Sequence, residues 1–339
     1  MKWWKWVLAG TVAAACLAVL ISRVSAAEIS LVFRNIRIAE AVAGFGVILV
    51  SYALKALRFK ILLGKAAPFG KLFGVTVAQN VIAQLVPARA GDVGYIVMVK
   101  KTGMASVGYA LASLVVCRLV DLVILVAIYV GSLSALDLQA ALFRDVAYVV
   151  GGCVVAGVVA VVALVIFGSH AVGSAQRLLE RTRLLRLKWI RYLWDEMVAA
   201  FPHLKELRFV RHVLPIICLS VLAWAATAGW IYLIWHAVGA PLNWTQVLFI
   251  FSLAYILGLF PLFFFGGIGT MDAVNAMVLI AFGIATGQAA SFTLCNRVLG
   301  ALYQVGLVLI VFAMLGRHVV PRVRDESNEA ATESDTNRG

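Results

Sequence analysis

The stretch 72–101, LFGVTVAQNVIAQLVPARAGDVGYIVMVKK, decides the fold. It holds two apolar segments, each shorter than the about 20 residues of a membrane-spanning helix. Between them, Pro87 lacks the N–H that a continuous helix requires, and Gly91 permits a positive φ and a close backbone approach. Lys71 precedes the stretch and a lysine pair ends it. This pattern predicts a helical hairpin that enters and leaves the membrane on one side.

A second broken apolar pair spans 247–282, with the sequence PLFFFGGIGTMD at 261–272. Its predicted break residues are Pro261, Gly266, Gly267 and Gly269. Free N–H groups at a helix start attract anions, whereas glycines also allow close packing between spans. Both interpretations stand for these glycines.

Long apolar runs surround the two hairpins. The chain is 63% hydrophobic and 13% charged, whereas a soluble domain is about 45–50% apolar and about 25% charged. Lipid cannot satisfy bare backbone groups, so the spans are predicted to be helical. The runs lie at 7–21, 38–54, 109–133, 146–167, 212–235, 247–265 and 289–315.

Positive charge indicates the cytoplasmic side of a bacterial inner membrane. Lys2 and Lys5 place the N-terminus on the cytoplasmic side, and the C-terminus is predicted to lie on the same side. A strong inside signal follows the span at 38–56, namely Lys55, Arg58, Lys60, Lys65 and Lys71. Simple hydropathy counts about eight crossings. With the charges, the prediction is an all-α integral membrane protein with two opposed re-entrant hairpins and about six full spans, at 7–21, 38–56, 106–133, 146–167, 212–238 and 289–315.

The hairpins belong to a predicted internal repeat. In each half an aspartate follows the break and an arginine lies in the next span. Asp92 and Arg118 are 26 positions apart, and Asp272 and Arg297 are 25 apart. The charges orient the halves, about 38–133 and 212–316, oppositely. Inverted repeats with broken helices are typical of secondary transporters.

Six ionisable residues lie in or beside this repeat, and each costs about 2.5–3.5 kcal/mol at a helix centre. Arginine suits a phosphate because its fork donates several hydrogen bonds at once. We therefore expect Arg89, Arg118 and Arg297 to hold an anionic headgroup. The carboxylates that would orient the arginines or titrate are Asp92, Asp121 and Asp272. Alternatively the six charges neutralise one another, for example through the i,i+3 pair Arg118 and Asp121.

Three further segments complete the organisation, with a polytopic membrane domain over 1–324. Residues 174–209 predict a basic amphipathic helix in the cytoplasmic interface, or an ordinary basic loop. Residues 325–339 form a polar tail that is predicted to be disordered. Residues 1–26 fit a cleaved signal peptide or a retained first span, and Arg23 in the would-be cleavage region favours the span.

The sequence offers little for catalysis. The five cysteines lie in apolar runs without a C-x-x-C pair, and the five histidines show no metal-ligand spacing. We expect no enzyme activity, no cofactor and no metal, with an integral-membrane transferase as the remaining enzymatic alternative. The net charge is +13, and the Lys and Arg residues cluster beside the spans. Because no nucleic-acid module is visible in the sequence, we expect no nucleic-acid partner.

The motifs P-x-R-x-G-D at 87–92 and G-G-x-G-x-x-D at 266–272 resemble those of the flippase-like membrane domain of lysylphosphatidylglycerol synthases. The resemblance covers about 6–316, with aspartates where many relatives have glutamate. The soluble aminoacyl-transferase domain of the full-length synthases is missing from this sequence, so lysine transfer does not carry over.

The resemblance implies a flippase that moves a lipid with a polar headgroup, phosphate-bearing or of the polyprenyl or hopanoid type, between membrane leaflets. Its expected partners are membrane lipids. The alternative is a membrane scaffold or regulator that transports nothing and binds a lipid- or glycan-biosynthetic enzyme.

Overall fold

A computed structural model of the chain describes residues 34–64, 67–85, 90–136, 148, 152, 214–257 and 270–319. The main elements in this part of the chain are eight helices. They are α1 (Ile38–Leu63), α2 (Phe69–Leu85), α3 (Ala90–Lys101), α4 (Val107–Ser134), α5 (Leu214–Ala237), α6 (Trp244–Leu257), α7 (Thr270–Ala281) and α8 (Thr286–Val319).

Four helices are long and apolar enough to cross a membrane: α1, α4, α5 and α8. They confirm the all-α membrane fold and correspond to four of the six predicted spans. The other two predicted spans fall outside the described residues, apart from Tyr148 and Gly152 in the second of them. The predicted interfacial helix at 174–209 and the tail at 325–339 also lie outside them.

Helices α2 and α3 form a hairpin. Gln79 Nε2 near the middle of α2 donates to Asp92 Oδ1 near the start of α3, at 3.0 Å. Gly91 lies against Gln79 and Ala83, and Gly94 lies against Ile82, so the two helices pack closely. The 12 residues of α3 span about 18 Å, short of the about 30 Å hydrocarbon core. This length agrees with the arm of a re-entrant hairpin, which stays a prediction.

A glycine with positive φ follows the last turn of α3 and of α7. Gly103 follows α3 with φ +68°, and Gly283 follows α7 with φ +87°. Because this left-handed conformation has no steric cost for glycine, it lets each helix stop and the chain turn into the next span. The chain therefore leaves α3 and α7 through the same kind of turn.

The predicted end of the second span near residue 56 is wrong. Helix α1 continues to Leu63, and the Lys55 and Arg58 side chains within it are buried, with residue exposures of 7% and 3%. Apolar residues between and after these cations allow the helix to stay embedded, and Asp121 of α4 pairs with Arg58. These two cations are therefore part of the interior and do not act as loop charges.

The eight helices form two sets of four in matching order, α1 to α4 and α5 to α8. In each set the first helix contacts the second and the fourth, and the third contacts both the second and the fourth. Across the sets, α2 packs on α8 as α6 packs on α4. The two largest apolar clusters follow the same division, one dominated by each set.

Among the eight described helices, α1 and α5 make the most extensive contact, and they run antiparallel. The Arg37 N–H, just before α1, donates to Ala237 O at the end of α5, at 2.9 Å. At mid-helix, Ser51 Oγ donates to Ala223 O, at 2.9 Å. Further along α1, Arg58 Nη1 donates to Ser220 Oγ near the start of α5, also at 2.9 Å. The first helices of the two sets therefore point in opposite directions.

Candidate functional site

An ion pair joins the first hairpin to the span that follows it. Asp92 is the third residue of α3, where the helix dipole favours a carboxylate. Its Oδ1 accepts a hydrogen bond from Arg118 Nη2 of α4 and another from Gln79 Nε2 of α2. The Asp92 side chain is 16% exposed and the Arg118 side chain 44%. The carboxylate is thus held inside the hairpin while the guanidinium reaches an open surface.

The second set contains the same pair. Asp272 is the third residue of α7, and Arg297 of α8 donates to it from Nε, at 3.0 and 3.1 Å, and from Nη2, at 2.8 Å. Two parallel N–H···O bonds to a carboxylate make a strong, oriented contact. The Asp272 side chain is 5% exposed and the Arg297 side chain 36%. Again the acid is enclosed and the arginine is partly open.

The two pairs occupy equivalent positions. Arg118 and Arg297 each lie 11 residues after the first residue of their helix, α4 and α8. Four of the six predicted site residues therefore form two matched pairs, one in each set. The predicted alternative of mutual neutralisation holds for these four, although the partly exposed arginines can still meet a ligand.

Asp121 belongs to a different cluster, enclosed between α1, α4 and α5. Arg58 holds it with both terminal nitrogens, Nη1 to Oδ1 and Nη2 to Oδ2, the latter at 2.8 Å. The Trp224 indole N–H donates to Oδ1 at 2.8 Å. Lys55 Nζ lies 4.9 Å from the centroid of the Trp224 ring and 5.4 Å from that of Tyr52. The i,i+3 pairing of Asp121 with Arg118 is not the one that the structure shows.

The sequence matches a known protein family over most of its length. The family model described as "Lysylphosphatidylglycerol synthase TM region" matches residues 6–315. The chain belongs to this family. No curated protein matches the sequence at a significant level. Family membership and the apolar helices together make the chain a multi-pass membrane protein of lipid metabolism or transport.

In this family member the first hairpin is closed by a close approach of backbones. A Cβ on Gly91 would lie 2.2 Å from Gln79 O and 2.7 Å from the Ala83 Cβ. Such contacts leave no room for a side chain, so Gly91 serves the packing between α2 and α3. The other predicted break residues and the third predicted arginine lie outside the described residues, namely Pro87, Arg89, Pro261, Gly266, Gly267 and Gly269.

Sequence reasoning missed the residues that surround Asp121. Lys55 and Arg58 were interpreted as charges of a cytoplasmic loop, and Trp224 as one more apolar residue of a span. One signal was present, because apolar residues continue through 59–63 after Arg58 and indicate that the helix goes on. The partnership itself joins residues 63 and 103 positions apart, which no local pattern indicates.

Metal ligands do not cluster in the described part of the chain, where no group of three or more His, Cys, Asp or Glu residues could hold an ion. Cys117 and Cys295 are buried there, and Cys218 is exposed. The charged side chains of the two Asp–Arg pairs and of the Asp121 cluster are therefore the chemistry that these helices offer to a ligand.

Proposed function

We propose that this family member is a lipid flippase or transporter, which moves a lipid with a polar, phosphate-bearing headgroup between the leaflets of a bacterial cytoplasmic membrane. The observation that carries the proposal is the matched pair of Asp–Arg contacts. Each joins a hairpin to the following span, and each presents a partly exposed guanidinium beside an enclosed carboxylate.

The helix arrangement supports an inverted repeat. Matching helices make matching contacts, and the first helices of the two sets run antiparallel. In the proposed topology both termini are cytoplasmic, the α2–α3 hairpin enters from inside and the α6–α7 hairpin from outside. Each Asp–Arg pair then serves the leaflet on its own side. Alternating access in such folds is largely a rocking of one repeat against the other around a site near the midplane.

Ion-pair exchange is the proposed chemistry. Without a lipid, Asp92 neutralises Arg118 and lowers the cost of a guanidinium in the membrane. A guanidinium has five N–H donors, and Arg118 uses Nη2 for Asp92. A phosphate that arrives at the exposed side of Arg118 can be bound by the remaining N–H groups while the aspartate keeps the arginine in place. Arg297 and Asp272 would do the same in the other leaflet.

Purified protein in liposomes tests the proposal. We expect it to move a labelled phospholipid or a polyprenyl phosphate across the bilayer faster than protein-free liposomes do, and Arg118→Ala to return the rate toward background. Arg37→Ala is the matched control, because the Arg37 side chain is 59% exposed and pairs only with Glu40 in the same helix turn. Background rates for the wild type with every lipid tried would overturn transport and favour the scaffold alternative.

A further inference from the structure

The cluster around Asp121 carries more positive than negative charge. Lys55 and Arg58 are both more than nine-tenths buried, and they share the single carboxylate of Asp121. Arg58 holds that carboxylate bidentately, and the Lys55 ammonium lies over the faces of Trp224 and Tyr52. In addition, the Arg58 Nε is buried and lacks a hydrogen-bond partner. The cluster thus has donors and charge to offer to an anion.

The fold contains its own apolar version of this cluster. Helix α5 carries no Lys, Arg, Asp or Glu anywhere along Leu214–Ala237, so Lys55 and Arg58 of α1 have no charged counterpart there. Counted from the first residues of α4 and α8, Asp121 corresponds to Gly300. The second set of helices therefore builds this place without a charge.

The comparison of the two sets shows whether the buried charges of the first set are needed for stability. Well-packed apolar residues in place of a buried ion pair are often neutral or stabilising, and the second set shows that this fold accepts them. An uncompensated cation inside a membrane is costly. The charges of the first set are therefore not explained by packing, and a ligand of opposite charge accounts for them.

We propose that Lys55 and Arg58 form an inner anion site for the phosphate of the lipid substrate. The proposal rests on the proposed function and deepens it. Arg118, partly exposed and one helical turn from Asp121, is the entrance, since i and i+3 side chains are neighbours on a helix. Asp121 positions Arg58, and Trp224 covers the site, so the indole moves aside when the phosphate enters. Because only the first set has this site, the transporter favours lipids with a net negative headgroup.

Binding of short-chain lipids to the purified protein tests the site. The probes are dihexanoyl phosphatidic acid, dihexanoyl phosphatidylcholine and inorganic phosphate, all below micellar concentrations. We expect the wild type to bind phosphatidic acid most tightly. We expect Lys55→Ile to weaken that binding by roughly 10- to 100-fold, as for the loss of one hydrogen bond to a charged group, and Lys55→Arg to retain it within a few-fold.

Two controls keep the result interpretable. Lys60→Ile removes an exposed lysine from the same helix and should leave binding unchanged. Lys55→Ile replaces a buried cation with an apolar residue and leaves the Arg58–Asp121 pair intact, so its melting temperature should equal or exceed that of the wild type. Equal affinity of wild type and Lys55→Ile for phosphatidic acid would overturn the site.

The remaining outcomes separate the two proposals and the two sources of phosphate. Inorganic phosphate that binds through Lys55 as tightly as phosphatidic acid would overturn the lipid part of the inference. Flipping is measured in liposomes with the same variants. Lys55-dependent binding without any flipping supports the site and overturns the proposed transport, whereas flipping with Lys55-independent binding overturns the site alone.

Discussion

Ser51 and Thr227 share a hydrogen bond of 2.7 Å between their hydroxyl oxygens at the crossing of α1 and α5. Along the two helices, this contact lies between the Arg37–Ala237 contact and the Arg58–Ser220 contact. It therefore joins the first helices of the two sets within their crossing. Ala223 O lies 2.9 Å from Ser51 Oγ and 2.8 Å from Thr227 Oγ1. Because each hydroxyl has one proton, one of the two donates to the other and the second donates to this carbonyl oxygen.

Removal of this contact should loosen the two sets from each other. We expect a double-mutant cycle with Ser51→Ala and Thr227→Val to give a coupling energy of about 0.6 kcal/mol and at most about 1.7 kcal/mol, the range for hydrogen bonds between membrane helices. The measurement is reversible unfolding in bicelles. A coupling energy of zero would show that the two hydroxyls act independently, each through the Ala223 carbonyl.

Gly91→Ala should open the first hairpin. The new methyl group would lie 2.2 Å from the Gln79 carbonyl oxygen, and because a backbone atom cannot give way, α3 must shift. We expect a loss of about 1–3 kcal/mol of stability, the usual cost of overpacking, together with weaker contact between Asp92 and Gln79. Thermal unfolding in detergent measures the first effect.

Gly46→Ala in α1 is the matched control for this substitution, since a Cβ at this glycine would meet no other atom within 4 Å. Alanine is the better helix former by about 1 kcal/mol, so this variant should be as stable as the wild type or more so. Equal stability of the two alanine variants would contradict the close packing at Gly91.

Much of the site follows from the sequence because it repeats. The sequence predicts an aspartate after each break and an arginine in the next span, at matching spacing. That these residues pair with each other is a finding of the structure. The Asp121 cluster does not repeat, and its partners come from α1, α4 and α5. Spacing along one helix suggested Arg118 as the partner of Asp121, whereas packing brings Arg58 there and leaves Arg118 to Asp92.

The predicted end of the second span at residue 56 is wrong for a related reason. Two cations within four residues resemble the basic edge of a span, and only the tertiary fold shows that Asp121 and Trp224 enclose them. The charge rule counts Lys and Arg outside the membrane, so it misassigns those that have a buried partner. Lys60, by contrast, is exposed in the last turn of α1.

Arg58→Ala should be among the most destabilising single changes in α1. It leaves the Asp121 carboxylate buried, and breaking a buried ion pair in this way costs about 3–5 kcal/mol. The double variant Arg58→Ile with Asp121→Ala should recover part of that loss, because it also removes the carboxylate that Arg58→Ala leaves buried, while Lys55 keeps its place over Trp224 and Tyr52. Melting temperatures of the purified variants give the comparison. A double variant no more stable than Arg58→Ala would mean that the guanidinium supports the fold by more than its charge.

Labelling of single cysteines tests the predicted opposite orientation of the two hairpins. Lys101 is exposed at the end of α3, and Ala285 is exposed just before α8. Because α1 and α5 are antiparallel and each predicted hairpin begins beyond the end of its own first helix, we expect these two positions to lie on opposite membrane faces. In a background without the five native cysteines, a membrane-impermeant thiol reagent should label Ala285→Cys in intact cells and Lys101→Cys only in inside-out vesicles.

A permeant reagent should label both in either preparation, which controls for folding and local reactivity. Labelling of both cysteines from the same face would contradict the inverted repeat, and with it the assignment of one Asp–Arg pair to each leaflet.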